Sequence, residues 1–284
     1  MESPRPPYCY QGLCDTVVMK DKLFIIWAKQ HTGDSAFKQT DARQVVKHYD
    51  FVKDVFSEES VIQPSVADAG TWNGGVTVWN DELWCAYLEV TPAENGTSPH
   101  SYSTELVVAP FRNGRCGSLF RFGKDFSPFL YAPFPTVFKG RMVIFFSDLQ
   151  YYYKDGIPFE PLYYTGFDGR TFSSPVLVND SGRNRYAKGK EYDGRLVVAY
   201  KSNSRYFEKY DYLYHDIAIS SIRGTEVATT CYTRGKPCYF SAPHLTSHNG
   251  KLLLAYTRIK DGSPEGYRIS YGTYIGSIDR VTPV

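Results

Sequence analysis

Glu89 and Asp148 each stand two residues beyond an aromatic that ends an apolar run, Tyr87 and Phe146. Two carboxylates at matched places on neighbouring elements are what general acid and base catalysis asks for. Solvated charge at a strand end is the plainer account of either residue, so the chemistry is an expectation that depends on the two meeting in space.

Aromatic residues give the denser signal. Tyr151, Tyr152, Tyr153 and Phe159 crowd one polar connection, and Tyr206, Phe207, Tyr210, Tyr212 and Tyr214 crowd another. Rings left open in such connections would present faces for sugar rings to stack on, while rings packed down on neighbouring strands would be filler. Arg183, Arg185, Arg205 and Arg258 fall near the second cluster, and a guanidinium is the side chain best built to hold a carboxylate. Acidic residues (Asp15, Asp68, Glu89, Asp125, Asp148, Asp155) concentrate earlier in the chain than the cations Lys188, Lys201, Arg234 and Lys236. A ligand with one anionic group would be oriented by that division. His244, neutral near pH 7, is either a satisfied structural histidine or a hydrogen-bond partner for a ligand hydroxyl.

Other chemistries find no foothold. The six cysteines form no C-x-x-C pair, and no His/Cys/Asp/Glu spacing suits a metal; glycine loops for phosphate and a G-x-S-x-G elbow are missing. No cofactor is expected. Thirty-two Lys and Arg against thirty Asp and Glu leave a formal charge of +2, which gives no general attraction to nucleic acid or to an anionic membrane. The start, MESPRPPYCY, has neither the basic nor the apolar part of a secretion signal, so a cytoplasmic chain or a secreted mature form is expected. Cys9 with Cys14, or Cys231 with Cys238, would pair only in an oxidising compartment; Asn95 and Asn179 head glycosylation triplets that matter only in a secreted chain.

What must position these residues is a repeat. MKDKLFIIW, WNDELWCAY, FKGRMVIFF, YDGRLVVAY and SHNGKLLLAY are one pattern written five times: a two-residue turn, a charged residue, an apolar strand and an aromatic. The turn pairs are Lys20-Asp21, Asn80-Asp81, Lys139-Gly140, Asp193-Gly194 and Asn249-Gly250, several of them types that adopt the left-handed conformation of a type I′ hairpin. The closing aromatics at 27, 87, 146, 200 and 256 are 60, 59, 54 and 56 residues apart. A strand repeat of that period means radially arranged sheets. The expectation is an all-β, single-domain, five-bladed β-propeller of four-stranded antiparallel blades over about 12–64, 72–122, 131–178, 186–233 and 241–284. The connections that follow second and fourth strands are long and emerge on one side, which is where a site is sought.

Inner strands that open with a short polar group and proline and run through a tight turn into an apolar strand ending in an aromatic (SAPHLTSHNGKLLLAY, YAPFPTVFKGRMVIFF) resemble those of five-bladed arabinanases and related furanosidases, and more distantly sialidases. That resemblance implies carboxylates at the starts of inner strands, with a general base in the first blade, where Asp15 stands. The corresponding places later read Trp72-Asn73, Tyr131-Ala132, Arg185-Tyr186 and Ser241-Ala242, none acidic, so Glu89 and Asp148 become the substitutes. Hydrolysis would need Asp15, Glu89 and Asp148 to converge, with one carboxyl pair about 5–9.5 Å apart. A sialidase-like clamp would instead draw on the arginines, although no Arg lies between Arg5 and Arg43, where that family carries one.

Three readings follow. Missing inner-strand acids and abundant loop aromatics favour a carbohydrate-binding, lectin-like propeller that takes a glycan or small polar ligand at Trp72, Asn73, Tyr131, Tyr151, Tyr152, Arg185, Tyr186, Arg205, Tyr206, His244 and Arg258. The alternatives are a glycoside hydrolase-like enzyme using Asp15, Glu89 and Asp148, or a propeller that docks a protein on its tyrosine-rich face.

Overall fold

A computed structural model describes residues 9–31, 41–92, 102–149, 152–154, 157–207, 212–224, 226–231, 238–260 and 270–278, and its long regular elements are all β-strands. In the first sheet β1 (Cys9–Met19), β2 (Lys22–His31), β3 (Ala42–Asp50) and β4 (Val55–Phe56) follow in antiparallel order, and β5 (Ser60–Ile62) also pairs with β3. The second runs β6 (Gly70–Trp79), β7 (Glu82–Pro92), β8 (Tyr102–Arg112), whose far edge takes both β9 (Arg115–Cys116) and β10 (Phe120–Phe122). In the third, β11 (Leu130–Phe138) and β12 (Arg141–Asp148) precede a small separate hairpin, β13 (Tyr152–Lys154) and β14 (Ile157–Phe159), before β15 (Leu162–Phe167) and β16 (Val176–Asn179) complete the sheet. The fourth is β17 (Arg183–Tyr192), β18 (Arg195–Phe207), β19 (Tyr212–Arg223) and β20 (Glu226–Cys231). Last come β21 (Cys238–His248), β22 (Lys251–Lys260) and β23 (Ser270–Ile278).

The fold is thus an all-β propeller of four-stranded antiparallel blades, but the described residues make four such blades where the repeat predicts five. The fifth hairpin is present as a sheet of three strands, and the residues expected to supply its fourth, after 278, lie outside the described ones. The physical reason is that the periodic signal belongs to the inner hairpins. Outer strands carry no repeat, so counting hairpins does not count complete blades. The chain divides into two compact units, Met1–Pro135 with Gly169–Phe172, and Thr136–Asp168 with Ser173–Val284.

The hairpin turns form as their residue types demand. Asn80 and Asp81 have φ of 51° and 60°, Lys139 and Gly140 50° and 73°, Asp193 and Gly194 51° and 67°, and Asn249 and Gly250 48° and 71°. Two left-handed residues in a row are what a type I′ turn requires to match the strand twist. The flanking residues pair directly, Trp79 with Glu82, Tyr192 with Arg195 and His248 with Lys251.

Second strands are apolar on both faces because each is packed on both sides, and alternation distributes the residues. Along β18, Leu196, Val198 and Tyr200 join a cluster with Phe145 and Leu162 of the third sheet, while Val197 and Ala199 join Leu245, Leu252 and Tyr256 of the last. Along β7, Leu83, Cys85 and Tyr87 pack with Phe24, Ile26 and Val46 of the first sheet. Each large side chain buried this way contributes about 1.5–3 kcal/mol. Cys85 and Cys116 are free thiols, Cys85 fully buried; the side chains of Cys9, Cys14, Cys231 and Cys238 lie outside the described ones.

Candidate functional site

The inner strands share one irregularity. Their register slips between Gly12 and Cys14, Trp72 and Gly75, Arg185 and Lys188, and Ser241 and His244. Each slip is a β-bulge placed well away from the hairpin turn. Asn73 and Tyr186 take left-handed φ values of 46° and 59° at two of these slips, and Ala132 on β11 takes 49°. Asparagine takes this conformation readily, but alanine and tyrosine do not, so Ala132 and Tyr186 hold backbone strain of the kind that gathers where a side chain must be re-aimed.

The strand register corrects the alignment of Asp15. It lies opposite Ile26, the residue before the closing aromatic Trp27, and the residues in that register elsewhere are Gly75 opposite Ala86, Lys188 opposite Ala199 and His244 opposite Ala255. Asp15 therefore stands level with Gly75 and not with Trp72-Asn73, and the repeat itself says so, since Asp15, Gly75, Lys188 and His244 each precede their closing aromatic by twelve residues. Its buried carboxylate accepts hydrogen bonds from the N–H of Thr16 (2.9 Å) and the N–H of Val76 (3.0 Å). A Cβ on Gly75 would sit 2.8 Å from Asp15 Oδ2 and 2.7 Å from the Phe134 ring, so glycine is what allows this approach.

Two other predicted groups of the first unit turn inward. Trp72 and Tyr131 pack edge to face with centroids 5.7 Å apart, both nearly buried. Buried Glu89 is an acceptor throughout: Oε1 receives the Ser65 N–H at 2.6 Å, and Oε2 receives the Ser65 hydroxyl at 2.9 Å and Arg121 Nη2 at 2.6 Å. Arg121 also pairs with Glu105. This is the anchoring of the 63–68 loop to the second sheet.

In the second unit, buried Asp148 donates its backbone N–H to the Pro161 carbonyl at 3.1 Å. The Tyr163 phenol is pushed up by burial and then by the charges of Asp148 and Asp180. The densest polar group surrounds Glu160, which is 2% exposed. Arg183 Nε binds Oε1 at 2.7 Å; Arg185 grips both oxygens, Nη2 to Oε1 at 2.6 Å and Nε to Oε2. Asn184 between them is fully buried and binds the Glu160 and Ser181 carbonyls through Nδ2, while its Oδ1 accepts from Ser202 and Asn179. Sequence reading missed Glu160. The legible signal was Arg183 and Arg185 at i and i+2, hence on one strand face, which asks for a carboxylate opposite.

Lys201 pairs across the strands with Arg185, and its ammonium lies 5.7 Å from the Tyr186 ring centroid. Burial, then the charges of Arg185 and Arg183, lower its pKa from 10.5 to about 7 against the pull of Glu160. The lysine is poised between charged and neutral near neutrality.

The remaining predicted residues divide by what is described. His244 is exposed on β21. Arg205 and Tyr206 lie on β18 opposite Tyr214 and Leu213, Arg258 lies on β22, and Tyr152 lies on β13 opposite Phe159; their side chains, and all of Tyr151, lie outside the described residues. β14 lies against β18 in this unit.

No family model matches the chain, and no curated protein matches it. Solved structures do. A thermostable family-43 glycoside hydrolase is similar over 96% of this chain and 91% of its own (TM-score 0.56, 13% identity). An alpha-L-arabinanase from Penicillium chrysogenum, complexed with arabinobiose, is similar over 90% and 79% (TM-score 0.60, 10% identity). A Trypanosoma rangeli sialidase in complex with sialic acid is similar over 93% of this chain but 46% of its own (TM-score 0.62, 12% identity). At these identities the likeness is one of fold, and it agrees with the resemblance in the inner strands.

Proposed function

We propose that this chain acts on glycosides, as a glycoside hydrolase-like propeller with Asp15 as its acting carboxylate in the first unit. The observation that carries the reading is the fold likeness to glycosidases across nine-tenths or more of the chain, joined to a buried, oriented carboxylate on the first inner strand. Two backbone donors fix the Asp15 carboxylate, which suits a general base that must meet its proton in one orientation. Asp148 is the candidate of the second unit. Glu89 we read as a tie for the loop, since its oxygens are spent on Ser65 and Arg121.

Carbohydrate binding without catalysis draws less support, because the named neighbours are hydrolases.

The test is release of aglycone from aryl arabinofuranosides and aryl sialosides by the wild-type chain, Asp15→Asn, Asp148→Asn and Glu89→Gln. Loss of about 10²-fold or more in Asp15→Asn, with the fold retained, supports the assignment. Glycan binding with no release by the wild type would return the reading to a lectin-like module, and neither binding nor release would leave the protein-docking alternative.

A further inference from the structure

The second unit holds an amine that the glycosidase reading does not use. Lys201 of β18 pairs with Arg185 of β17, and Arg183 and Lys188, two residues before Arg185 and opposite Ala199, fall on the same face of that strand pair. Lysine is seldom buried, and this one is 8% exposed among like charges. An ammonium there gives up its water without gaining a matching partner for its charge from β17.

The charges around it are unequal. From β17 come Arg183, Arg185 and Lys188, whose Nζ is buried; from the connection before β15 comes Glu160, already held by both arginines. On β19 the residue opposite Lys201 is Ile217, while Asp216 pairs with Ser202 and so falls on the other face. His244 of β21, the strand packed beside β18, is exposed. Among the described residues, one carboxylate is thus set against three neighbouring cations. Burial and then the two guanidiniums bring the Lys201 amine down to about 7, so that much of it is the neutral nucleophile near neutrality.

Size and charge decide what such an amine takes. The Tyr186 ring stands beside it, 5.7 Å from Nζ to the centroid, and so little exposure admits only a small electrophile. An imine formed with an aldehyde would regain positive charge on protonation, among cations. A carbamate instead carries the negative charge that this cluster lacks. We propose that Lys201 is a site of reversible carbamate formation with carbon dioxide. The neutral Nζ bonds to the carbon, one C=O electron pair moves onto oxygen, and the nitrogen releases a proton to water. The product puts a carboxylate-like anion beside Arg183, Arg185 and Lys188, and loss of carbon dioxide with uptake of a proton restores the amine.

The experiment incubates the full wild-type chain with carbon-13 bicarbonate, traps carbamates with an O-alkylating reagent and maps the label by peptide mass. Label on Lys201 is expected at least about tenfold above that on the exposed Lys20 and Lys139. It should grow from pH 6 to pH 8 at fixed dissolved carbon dioxide, as the amine loses its proton. Because a group that reacts only in the folded chain stabilises the fold, bicarbonate should raise the thermal midpoint over equal chloride in the wild type and not in Lys201→Met. The mapping needs no variant, so it stands whatever Lys201→Met does to folding. A Lys201 peptide without label, label no greater than on Lys20 and Lys139, or trapping by borohydride of an imine with a small aldehyde where bicarbonate leaves no label overturns the proposal.

Discussion

The Asp15 carboxylate on the first inner strand accepts the Val76 N–H of the second at 3.0 Å, and the space for that contact exists because residue 75 is glycine. Gly75→Ala would drive a methyl against Asp15, Phe134 and Pro135, each within 2.8 Å of the new carbon. Overpacking of this kind costs about 1–3 kcal/mol. Urea unfolding should show the loss as a lower midpoint with an unchanged slope; an unmoved midpoint would mean that the strands part without cost.

Asp15→Ala tests the same contact from the other side. It strips a buried N–H of its acceptor, at about 1–3 kcal/mol, whereas Asp15→Asn keeps an oxygen for Val76 and should cost less. If the carboxylate also does chemistry, the two variants lose glycosidase activity alike while differing in stability. Equal stability and retained activity would contradict both roles.

Glu89 should behave as a structural residue. Arg121→Ala leaves a buried carboxylate without its guanidinium, and because Arg121 is itself 31% exposed the cost is expected at about 1–3 kcal/mol, below that of a fully buried pair. Thermal unfolding measures it. A fall in turnover without a fall in stability would restore Glu89 to the chemistry.

Lys201 gives a pH signature with a definite sign. Its folded pKa of about 7 lies below the ordinary 10.5. Below pH 7 both folded and unfolded chains hold the proton, and the fold carries the whole cost of a buried ammonium. Between about 7 and 10.5 only the unfolded chain holds it, so this residue's share of stability rises with pH and levels off above. Lys201→Met should raise stability at pH 6, by up to a few kcal/mol on the order of the shift, and flatten the rise from pH 7 to 10. Denaturant titrations at pH 6, 8 and 9.5 read it; identical slopes in the two chains would show that Lys201 keeps its proton.

Ala132, buried with φ of 49°, tests the left-handed strain on the inner strands. Ala132→Gly removes the left-handed penalty of about 1–2 kcal/mol against a glycine entropy cost of about 0.5–1, so stability should hold or rise slightly. Ala132→Val should destabilise clearly, since a branched residue tolerates that conformation least. Equal effects from both substitutions on the unfolding midpoint would remove strain from the account.

The sequence by itself determined the hairpins. Asn80-Asp81, Asp193-Gly194 and Asn249-Gly250 form their turns because left-handed preference is a property of the residue and its immediate neighbours. It also determined that second strands are packed on two faces, since Leu196 through Tyr200 leave no polar side to show to water. Tertiary structure decided the rest. The left-handed backbone at Ala132 and Tyr186 falls on residues with no turn signature, and the N–H that Asp15 accepts comes from Val76, 61 residues away, a contact that only the packing of the first two inner strands supplies. Glu160 found Arg183 and Arg185 across more than twenty residues, and Glu89 found Arg121 across 32, contacts that hydrophobic periodicity does not encode. The repeat likewise counts hairpins and not complete blades, of which the described residues make four, because an outer strand forms by pairing with its neighbour.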